Sequence, residues 1–353
     1  MAGVVMAGHV VVIGAGVYGA AVSAALRRRG ARATVVDSGA PGDGTSGVTF
    51  SWLNSCGKEP RAYHDLNVAG MVAHRELAEK LSGDWYHEGG NLEWAAKETD
   101  RVRLRDKVRR VLGYGYEARW LVRAEALRLE PDLDPTALPD DEIAFFPREG
   151  WLEPVRMIGF LLAGAEVVRN DAVVGIDVGG ERVRGVRLAS GRRLAADAVV
   201  NCAGPRAAEV AALAGLTLPM RNTQGRLVYT SPVAVAVSRV IHAPRVHVRP
   251  DGAGRLLLHG HDEAAADSVF AAACELYPGI RAGAVESVRV GERPVPGDGR
   301  PVLGRVAALP GFHFAVSHSA ATLCVHAGDL VAAEVMGADV ADALAPFRFE
   351  RFR

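Results

Sequence analysis

The first forty residues alternate between apolar runs and breaks rich in glycine or charge. The continuous apolar run at 9–13 predicts a buried strand, because a strand covered on both faces lacks polar alternation. The Ala-rich segment that follows predicts a helix ending near 27–30, where arginines meet the negative end of the helix dipole and Gly30 stops the helix. A second apolar run at 33–36 ends in Asp37. These elements predict a β-α-β unit.

Three glycines lie between the first strand and its helix, and their spacing is typical of a dinucleotide site. Gly14 permits the tight turn, Gly16 lets backbone N–H groups approach a pyrophosphate, and Gly19 lets the helix pack closely on the strand. Asp37 lies where an acidic side chain accepts hydrogen bonds from a ribose diol. The predicted site also includes the neighbouring residues Val17, Tyr18 and Ser38.

The pattern beyond Asp37 differs from that of a nicotinamide dehydrogenase, in which the next βα unit begins soon after the second strand. Here a loop rich in Gly, Ser and Thr leads into a helical region at about 62–81. The other predicted elements are two short strands within 166–176, a strand within 194–201, paired strands at 239–250 and 255–260, a final strand at 312–316 and a long helix to about Met336.

Composition and charge exclude several classes of protein. A chain of 353 residues favours two domains, and a formal net charge of zero gives no reason to expect nucleic acid or an anionic membrane as a partner. No Lys or Arg precedes Arg27, which argues against a secretory signal, and no other stretch has the ~18 uninterrupted apolar residues of a membrane helix. We therefore expect a cytoplasmic protein with reduced thiols at Cys56, Cys202, Cys274 and Cys324.

Later segments of the chain carry a resemblance to a known family. They are the strand segments at 166–176 and 194–205, the latter ending in a small-residue turn, the segment at 291–304 that contains R-P-x-x-x-D-G-x-P-x-x-G, and the final strand, His and helix at 312–336. In their order along the chain and in their residues, these segments resemble the FAD-dependent amine and amino-acid oxidoreductases of the D-amino-acid oxidase superfamily, especially its glycine oxidase and sarcosine oxidase branch. The resemblance spans nearly the full chain.

This resemblance implies an α/β fold in which a Rossmann-like FAD-binding domain is interleaved with an antiparallel-sheet substrate domain. The FAD-binding domain is expected at 1–85, 145–215 and 300–353, and the substrate domain at 86–144 and 216–299.

The resemblance also implies which residues contact FAD. Thr45 and Ser46 would meet the phosphates or the flavin edge, and the backbone of Val168 would meet the adenine. The first turn of the last helix would aim N–H groups at the flavin pyrimidine edge, where a helix N-terminus stabilises negative charge. Further residues implied at the cofactor are Cys202, Ala203, Gly204, Ser319, Ala320, Ala321, Thr322 and Leu323.

The attachment of FAD is expected to be noncovalent. In sarcosine oxidases of this branch the flavin is tethered to a Cys near the position that Arg293 occupies here. This chain has no Cys between Cys274 and Cys324.

A side chain that binds the substrate carboxylate would orient an amino-acid substrate. Arg suits this role because its planar guanidinium can donate two parallel hydrogen bonds to a carboxylate, which Lys cannot. By the resemblance, Arg293 matches the carboxylate-binding Arg of the family, with a structural Arg that caps a turn as the alternative. Arg245 and Arg305 are weaker candidates, for which surface solvation is the alternative. Other polar residues predicted to face the pocket, with a buried structural role as the alternative, are Ser51, Asn54 and His318.

The substrate is predicted to be larger than glycine. The glycine oxidase pattern has a Tyr near the position of His247 and bulkier residues after the final His, where this chain has Ser319, Ala320 and Ala321. Smaller side chains leave volume beside the flavin. We therefore expect an N-substituted glycine, such as an N-carboxymethyl amino acid.

The predicted activity is FAD-dependent oxidation of the C–N bond of such a small-molecule amine or amino acid. The product is an imine that hydrolyses to an oxo acid and an amine, and O2 is reduced to H2O2. One alternative is a dehydrogenase that passes electrons to a carrier, and another is an FAD-binding subunit without turnover. The oligomeric state is left open.

Four histidines, His242, His247, His259 and His261, superficially suggest a metal site. Strand alternation would put His242 and His247 on opposite faces, and no Cys or paired carboxylate follows at ligand spacing. We therefore expect no metal.

Overall fold

The computed structural model describes residues 8–260 and 264–352. Its strands are β1 (His9–Ile13), β2 (Arg32–Val36), β3 (Trp52–Leu53), β4 (Tyr86–His87), β5 (Asn91–Glu93), β6 (Arg119–Leu121), β7 (Ile143–Phe146), β8 (Gly150–Leu152), β9 (Glu166–Val168), β10 (Val173–Gly179), β11 (Arg182–Leu188), β12 (Arg193–Ala195), β13 (Ala198–Asn201), β14 (Thr223–Thr230), β15 (Val240–His242), β16 (His247–Pro250), β17 (Leu256–His259), β18 (Val285–Arg293), β19 (Val302–Arg305) and β20 (Phe312–Val316). Its helices are α1 (Val17–Arg28), α2 (Arg61–Leu81), α3 (Glu98–Gly113), α4 (Arg123–Leu129), α5 (Pro154–Leu161), α6 (Ala207–Ala212), α7 (Ala266–Leu276), α8 (Ala320–Val335) and α9 (Ala341–Leu344).

A six-stranded sheet in the order β19-β20-β13-β1-β2-β9 is the core of the first lobe. Strand β1 pairs in parallel with β2 and β13, and Val10, Val11 and Val12 are fully buried because both faces of the sheet are covered. Helices α1 and α8 pack together over this sheet, and a Cβ on Gly328 would lie only 3.3 Å from the Cβ of Ala21. The predicted β-α-β unit is confirmed.

An eight-stranded sheet in the order β18-β14-β17-β16-β15-β5-β7-β6 is the core of the second lobe. Its pairs are antiparallel except β5 with β15, which are parallel. One face packs on α7 through buried residues that include Ile241, Val248 and Leu258. Because β5–β7 and β14–β18 come from separate stretches of the chain, the two lobes are interleaved, and the predicted fold class is confirmed.

The smaller elements follow the predicted order. Helix α2 begins and ends close to the helical region predicted at 62–81, β9 and β10 are the two short strands, and α8 is the long final helix. The domain boundaries near 85, 145, 215 and 300 stay a prediction. Within residues 8–260 and 264–352, no helix combines the length and the apolar character needed to cross a membrane.

The segment 239–250, predicted as one strand, is two antiparallel strands, β15 and β16. The chain reverses between them at a turn in which the Ala243 N–H donates to the Val246 carbonyl at 3.1 Å. His242 is therefore directly opposite His247 in the register, and residues opposite each other point to the same face of a sheet. The prediction that these two histidines lie on opposite faces is wrong, because alternation holds only within one continuous strand.

Candidate active site

The turn between β1 and α1 requires glycine for steric reasons. Gly14 has a φ of +103°, and a Cβ there would lie 2.5 Å from the carbonyl oxygen of Cys202. A Cβ on Gly19 would overlap the carbonyl oxygen of Gly14. Gly16 is the N-cap of α1 and supplies no side-chain cap, while the Val17 N–H donates to the Ser46 hydroxyl at 3.1 Å. The positive end of α1 is therefore left open toward the loop that carries Ser46.

A cavity of about 640 Å³ lies at this helix end, within the size range of small-molecule and cofactor sites. Most of the predicted cofactor residues line it, together with His318. They are Gly14, Gly16, Val17, Tyr18, Asp37, Ser38, Thr45, Ser46, Cys202, Ala203, Gly204, Ala320 and Ala321. The cavity thus extends from the first turn of α1 to the first turn of α8.

Val168, predicted to meet the adenine, does not line the cavity. Its carbonyl oxygen accepts the Asp37 N–H at 2.9 Å. This carbonyl therefore takes part in the pairing of β2 with β9. Residues 172–174, at the start of β10, form the wall there instead. The contact between Val168 and the adenine stays a prediction.

Four other predicted cofactor residues lie behind the wall. Gly19 packs α1 on its strand, and Leu323 is fully buried in the core. The Ser319 hydroxyl hydrogen-bonds the Tyr63 hydroxyl at 2.6 Å, and the Thr322 hydroxyl accepts the Asn54 N–H at 3.4 Å. These contacts fix the beginning of α8 rather than face the cavity.

Hydrogen bonds from both lobes hold the cavity wall. The Asp37 carboxylate accepts the Ala15 N–H at 2.6 Å and the Gly39 N–H at 2.8 Å, which fixes two backbone segments of the wall. The Thr45 hydroxyl donates to the Glu292 carbonyl at 2.5 Å and so joins the loop of the first lobe to β18 of the second. The cavity is therefore shared by the two lobes.

A buried histidine fixes the first turn of α8. His74 on α2 donates its Nε2–H to the Ala321 carbonyl at 2.7 Å, and burial lowers the pKa of His74 to about 4. The neutral ring thus holds the backbone that carries the wall residue Ala321 without adding charge.

The structure brings Arg293, His259 and His318 to one region. Arg293 donates to His259 Nε2 at 2.8 Å and to the Gln224 carbonyl at 3.2 Å, and a Cβ on Gly225 would overlap its guanidinium. His318 lies in the cavity wall and is exposed to the cavity. Desolvation by the surrounding protein and the positive charges of Lys58 and Arg293 lower its pKa to about 4. Arg293 itself does not line the cavity, whereas its chain neighbours Glu292 and Pro294 do, so the guanidinium lies beside the cavity wall rather than in it.

Arg245 and Arg305, the weaker candidates, are exposed side chains that do not line the cavity. Arg245 pairs with Glu275, and Arg305 lies 3.9 Å from Glu334 with 65% of its side chain exposed. The structure does not bring them to Arg293. Their alternative interpretation as solvated surface residues fits this placement.

Ser51 and Asn54 are buried behind the cavity. The Ser51 hydroxyl donates to the Leu152 carbonyl at 2.6 Å, and Ser51 has a left-handed φ of 48°. The Asn54 amide donates to the Trp52 carbonyl at 3.0 Å, while its Oδ1 is buried without a hydrogen-bond partner. The Ser51 hydroxyl is thus used within the fold, and the Asn54 Oδ1 is a buried acceptor rather than part of the cavity wall.

Sequence reasoning missed Arg249, a guanidinium with only 3% exposure on the same sheet face as His247. Its Nε donates to the Phe50 carbonyl at 2.6 Å, and its Nη2 lies 3.4 Å from the Ser51 hydroxyl. Arg249 therefore ties the segment at 50–51 to the second lobe. The sequence offered one signal for Arg249: it is two residues after His247 and therefore on the same face of a strand.

The histidines of the eight-stranded sheet do not converge as metal ligands. In the part of the chain that the structure describes, no group of three or more His, Cys, Asp and Glu side chains could hold a metal ion. His261, one of the four histidines considered, lies outside the described residues.

Comparison with known proteins identifies the family. The sequence pattern of the DAO family, described as FAD dependent oxidoreductase, matches residues 9–334. The hydrogen cyanide synthase subunit HcnC of Pseudomonas aeruginosa is 26% identical over 410 residues, covering 98% of this chain and 96% of its own length. The glycine oxidase of Geobacillus kaustophilus is 26% identical over 366 residues, covering 97% of this chain and 96% of its own length. Its crystal structure superposes with a TM-score of 0.86 at 25% identity, covering 96% of this chain and 97% of that one. The chain therefore belongs to the DAO family of FAD-dependent oxidoreductases, in its glycine oxidase and sarcosine oxidase branch.

Proposed function

We propose that this protein oxidises the C–N bond of an amino acid, with an N-substituted glycine, such as an N-carboxymethyl amino acid, as the preferred substrate. The observation that carries the proposal is the position of Arg293, which donates to His259 at the junction of the two lobes and whose charge acts on His318 in the cavity wall. Its planar guanidinium matches the geometry of a substrate carboxylate.

The residues of the cavity fit FAD held noncovalently. The turn at Gly14 leaves no room for a side chain, the end of α1 is open to a pyrophosphate, and Asp37 lies in the wall. Cys202 is in the wall too, but burial raises the pKa of its thiol, which disfavours the reactive thiolate. When bound, FAD supplies a two-electron acceptor.

The protein's own groups then have the task of orientation. Arg293 would bind the substrate carboxylate and so aim the adjacent C–H bond, and the neutral His318 would add no competing charge. The substrate loses a hydride from carbon and a proton from nitrogen, and its C–N single bond becomes C=N. Water adds to this imine and releases an oxo acid and an amine.

Molecular oxygen is the proposed final acceptor, taking two electrons and two protons to give H2O2. A second candidate, transfer of the electrons to a carrier protein, is favoured by the similarity to HcnC, which is named as a subunit of a synthase. In both cases the partner in the first half-reaction is the small-molecule amine.

A substrate panel with purified protein tests the proposal. Without oxygen, N-substituted glycines should bleach the flavin absorbance, and with oxygen the same compounds should produce one peroxide per substrate consumed. Bleaching without peroxide would indicate a carrier-linked dehydrogenase. No bleaching by any amine or amino acid would contradict the proposed oxidation.

A further inference from the structure

Three histidines form a row across neighbouring strands, on the sheet face opposite the α7 cluster. His259 on β17 is opposite His247 on β16, and His247 is opposite His242 on β15. Their ring centroids are 5.5 and 4.2 Å apart along the row. Two steps of about 4.8 Å between strands make the row about 10 Å long. It begins at His259, beside Arg293.

Two aromatic side chains of the first lobe cover this row. The Phe50 ring lies 6.1 Å from the rings of His242 and His259 and 6.3 Å from that of His247. The Trp52 ring lies 3.9 Å from that of His242. Phe50, Trp52 and His247 are each half-buried, so part of each residue is accessible, whereas His242 at the end of the row is only 7% exposed.

A buried carboxylate determines the hydrogen-bond polarity at the far end of the row. Both oxygens of Glu149 face groups that only donate, the Trp52 indole at 3.0 Å and the Cys56 N–H at 2.9 Å, so both oxygens accept. The Asn91 side chain donates its NH2 to the same carboxylate at 3.3 Å. The amide oxygen of Asn91 therefore faces His242.

This orientation fixes the tautomer of His242. Its Nδ1 lies 2.7 Å from Asn91 Oδ1, which only accepts, so the ring hydrogen is on Nδ1. Nε2 then carries a lone pair and has no hydrogen-bond partner among residues 8–260 and 264–352. Burial also lowers the pKa of His242 well below its usual value, so the ring is neutral. A hydroxyl can donate a hydrogen bond to this nitrogen. A carboxylate cannot, because it only accepts, and its charge is repelled by the lone pair on Nε2.

We propose that Phe50, Trp52, His242 and His247 form a subsite for the group carried by the substrate nitrogen. Among N-substituted glycines, including N-carboxymethyl amino acids, the subsite selects a nitrogen substituent whose far end is a flat aromatic group with a hydrogen-bond donor, and it rejects one whose far end is a carboxylate. Aromatic rings favour stacking of a flat group, and His242 Nε2 is the acceptor at the end of the row. This inference rests on the proposed function, because it takes the substrate carboxylate to bind at Arg293.

The subsite can be tested with ligands that the enzyme does not turn over. In (4-hydroxybenzyloxy)acetate, benzyloxyacetate and (4-carboxybenzyloxy)acetate an ether oxygen replaces the oxidisable nitrogen, and only the para group changes. Calorimetry with the FAD-loaded protein should give the tightest binding for the hydroxyl, about fivefold tighter than for the unsubstituted ring, and the weakest for the carboxylate.

Variants of His242 separate this role from general packing. In His242→Phe the hydroxyl and unsubstituted ligands should bind equally well, because the acceptor is lost and the flat ring is kept. In His242→Gln the amide can turn to donate or accept, so the carboxylate should bind within about twofold of the hydroxyl. The control His326→Phe on α8 should keep the order of the wild type.

Two outcomes would overturn the inference: equal binding of the hydroxyl and carboxylate ligands by the wild type, or an unchanged hydroxyl preference in His242→Phe. Failure of the proposed function is distinguishable from both. It would appear as benzyloxyacetates binding in the expected order while the corresponding N-benzylglycines fail to reduce the flavin. The subsite would then stand without the oxidation.

Discussion

The guanidinium of Arg293 on β18 donates to the imidazole of His259 on β17 at 2.8 Å, across the intervening strand β14. Gly225 on β14 makes this reach possible, because a side chain there would occupy the space of the guanidinium. The guanidinium of Arg293 therefore lies over Gly225, next to His259 at the beginning of the histidine row. Its orientation depends on three strands whose order along the chain is not their order in the sheet.

Removing this guanidinium should impair catalysis without removing the cofactor. Arg293→Ala is expected to retain FAD and to lose ~3 kcal/mol of transition-state stabilisation, about a hundredfold in kcat/KM, as for truncating a buried charge pair. Arg293→Lys should recover only part of the loss, since the planar guanidinium is absent. Steady-state kinetics and the flavin absorbance of the purified variants measure both quantities.

The matched control is Arg305→Ala, which removes an exposed Arg that does not line the cavity. Its kcat/KM should stay close to that of the wild type. Specificity constants near wild type in both Arg293 variants would contradict the proposed carboxylate clamp.

The cofactor is expected to leave the protein intact when the chain unfolds. Purified protein should be yellow, and acid or heat denaturation should release FAD into the supernatant. Cys202→Ser should contain as much flavin as the wild type, because the proposed noncovalent attachment needs no bond from the buried thiol of Cys202 in the wall. Flavin that sediments with the denatured polypeptide would show that the attachment is covalent.

Local patterns made the β-α-β unit predictable, because the glycine spacing, the apolar runs and Asp37 all lie within one stretch of about thirty residues. The division of 239–250 into two strands was not predictable from alternation, since the turn after His242 interrupts the period. The histidine row depends on the register of three strands. Arg249 depends on Phe50, a contact between residues 199 positions apart. The long-range pairings themselves leave no periodic signal in one sequence, although spacing by two does put Arg249 on the same strand face as His247.

Acid should destabilise the folded protein through its buried histidines. Burial lowers the pKa of both His74 and His313 to about 4, from 6.5 for an unperturbed histidine. Because the unfolded chain binds more protons between pH 6.5 and pH 4, the free energy of unfolding falls as the pH falls through that window. Each histidine contributes up to about 1.4 kcal/mol per pH unit.

Chemical denaturation at several pH values measures this slope. His74→Gln should make the free energy of unfolding less dependent on pH by about one proton, and the double variant with His313→Gln by about two. A substitution that only weakens packing lowers the free energy of unfolding equally at every pH, so it does not change the slope against pH. A slope identical to that of the wild type in both variants would refute the assignment.

The substrate range provides the remaining prediction. Ala320 and Ala321 line the cavity at the first turn of α8, and their small side chains leave room beside the flavin site for a group on the substrate nitrogen. Each additional buried methylene should contribute ~0.8 kcal/mol, so kcat/KM should rise from glycine through sarcosine to a longer N-carboxymethyl amino acid. Ala321→Phe should penalise the longest substrate most, whereas Ala338→Phe, at an exposed position after α8, should leave the order unchanged. Flavin content measured in each variant separates loss of cofactor from loss of space. Turnover of free glycine as fast as any N-substituted analogue would instead indicate a pocket built for glycine.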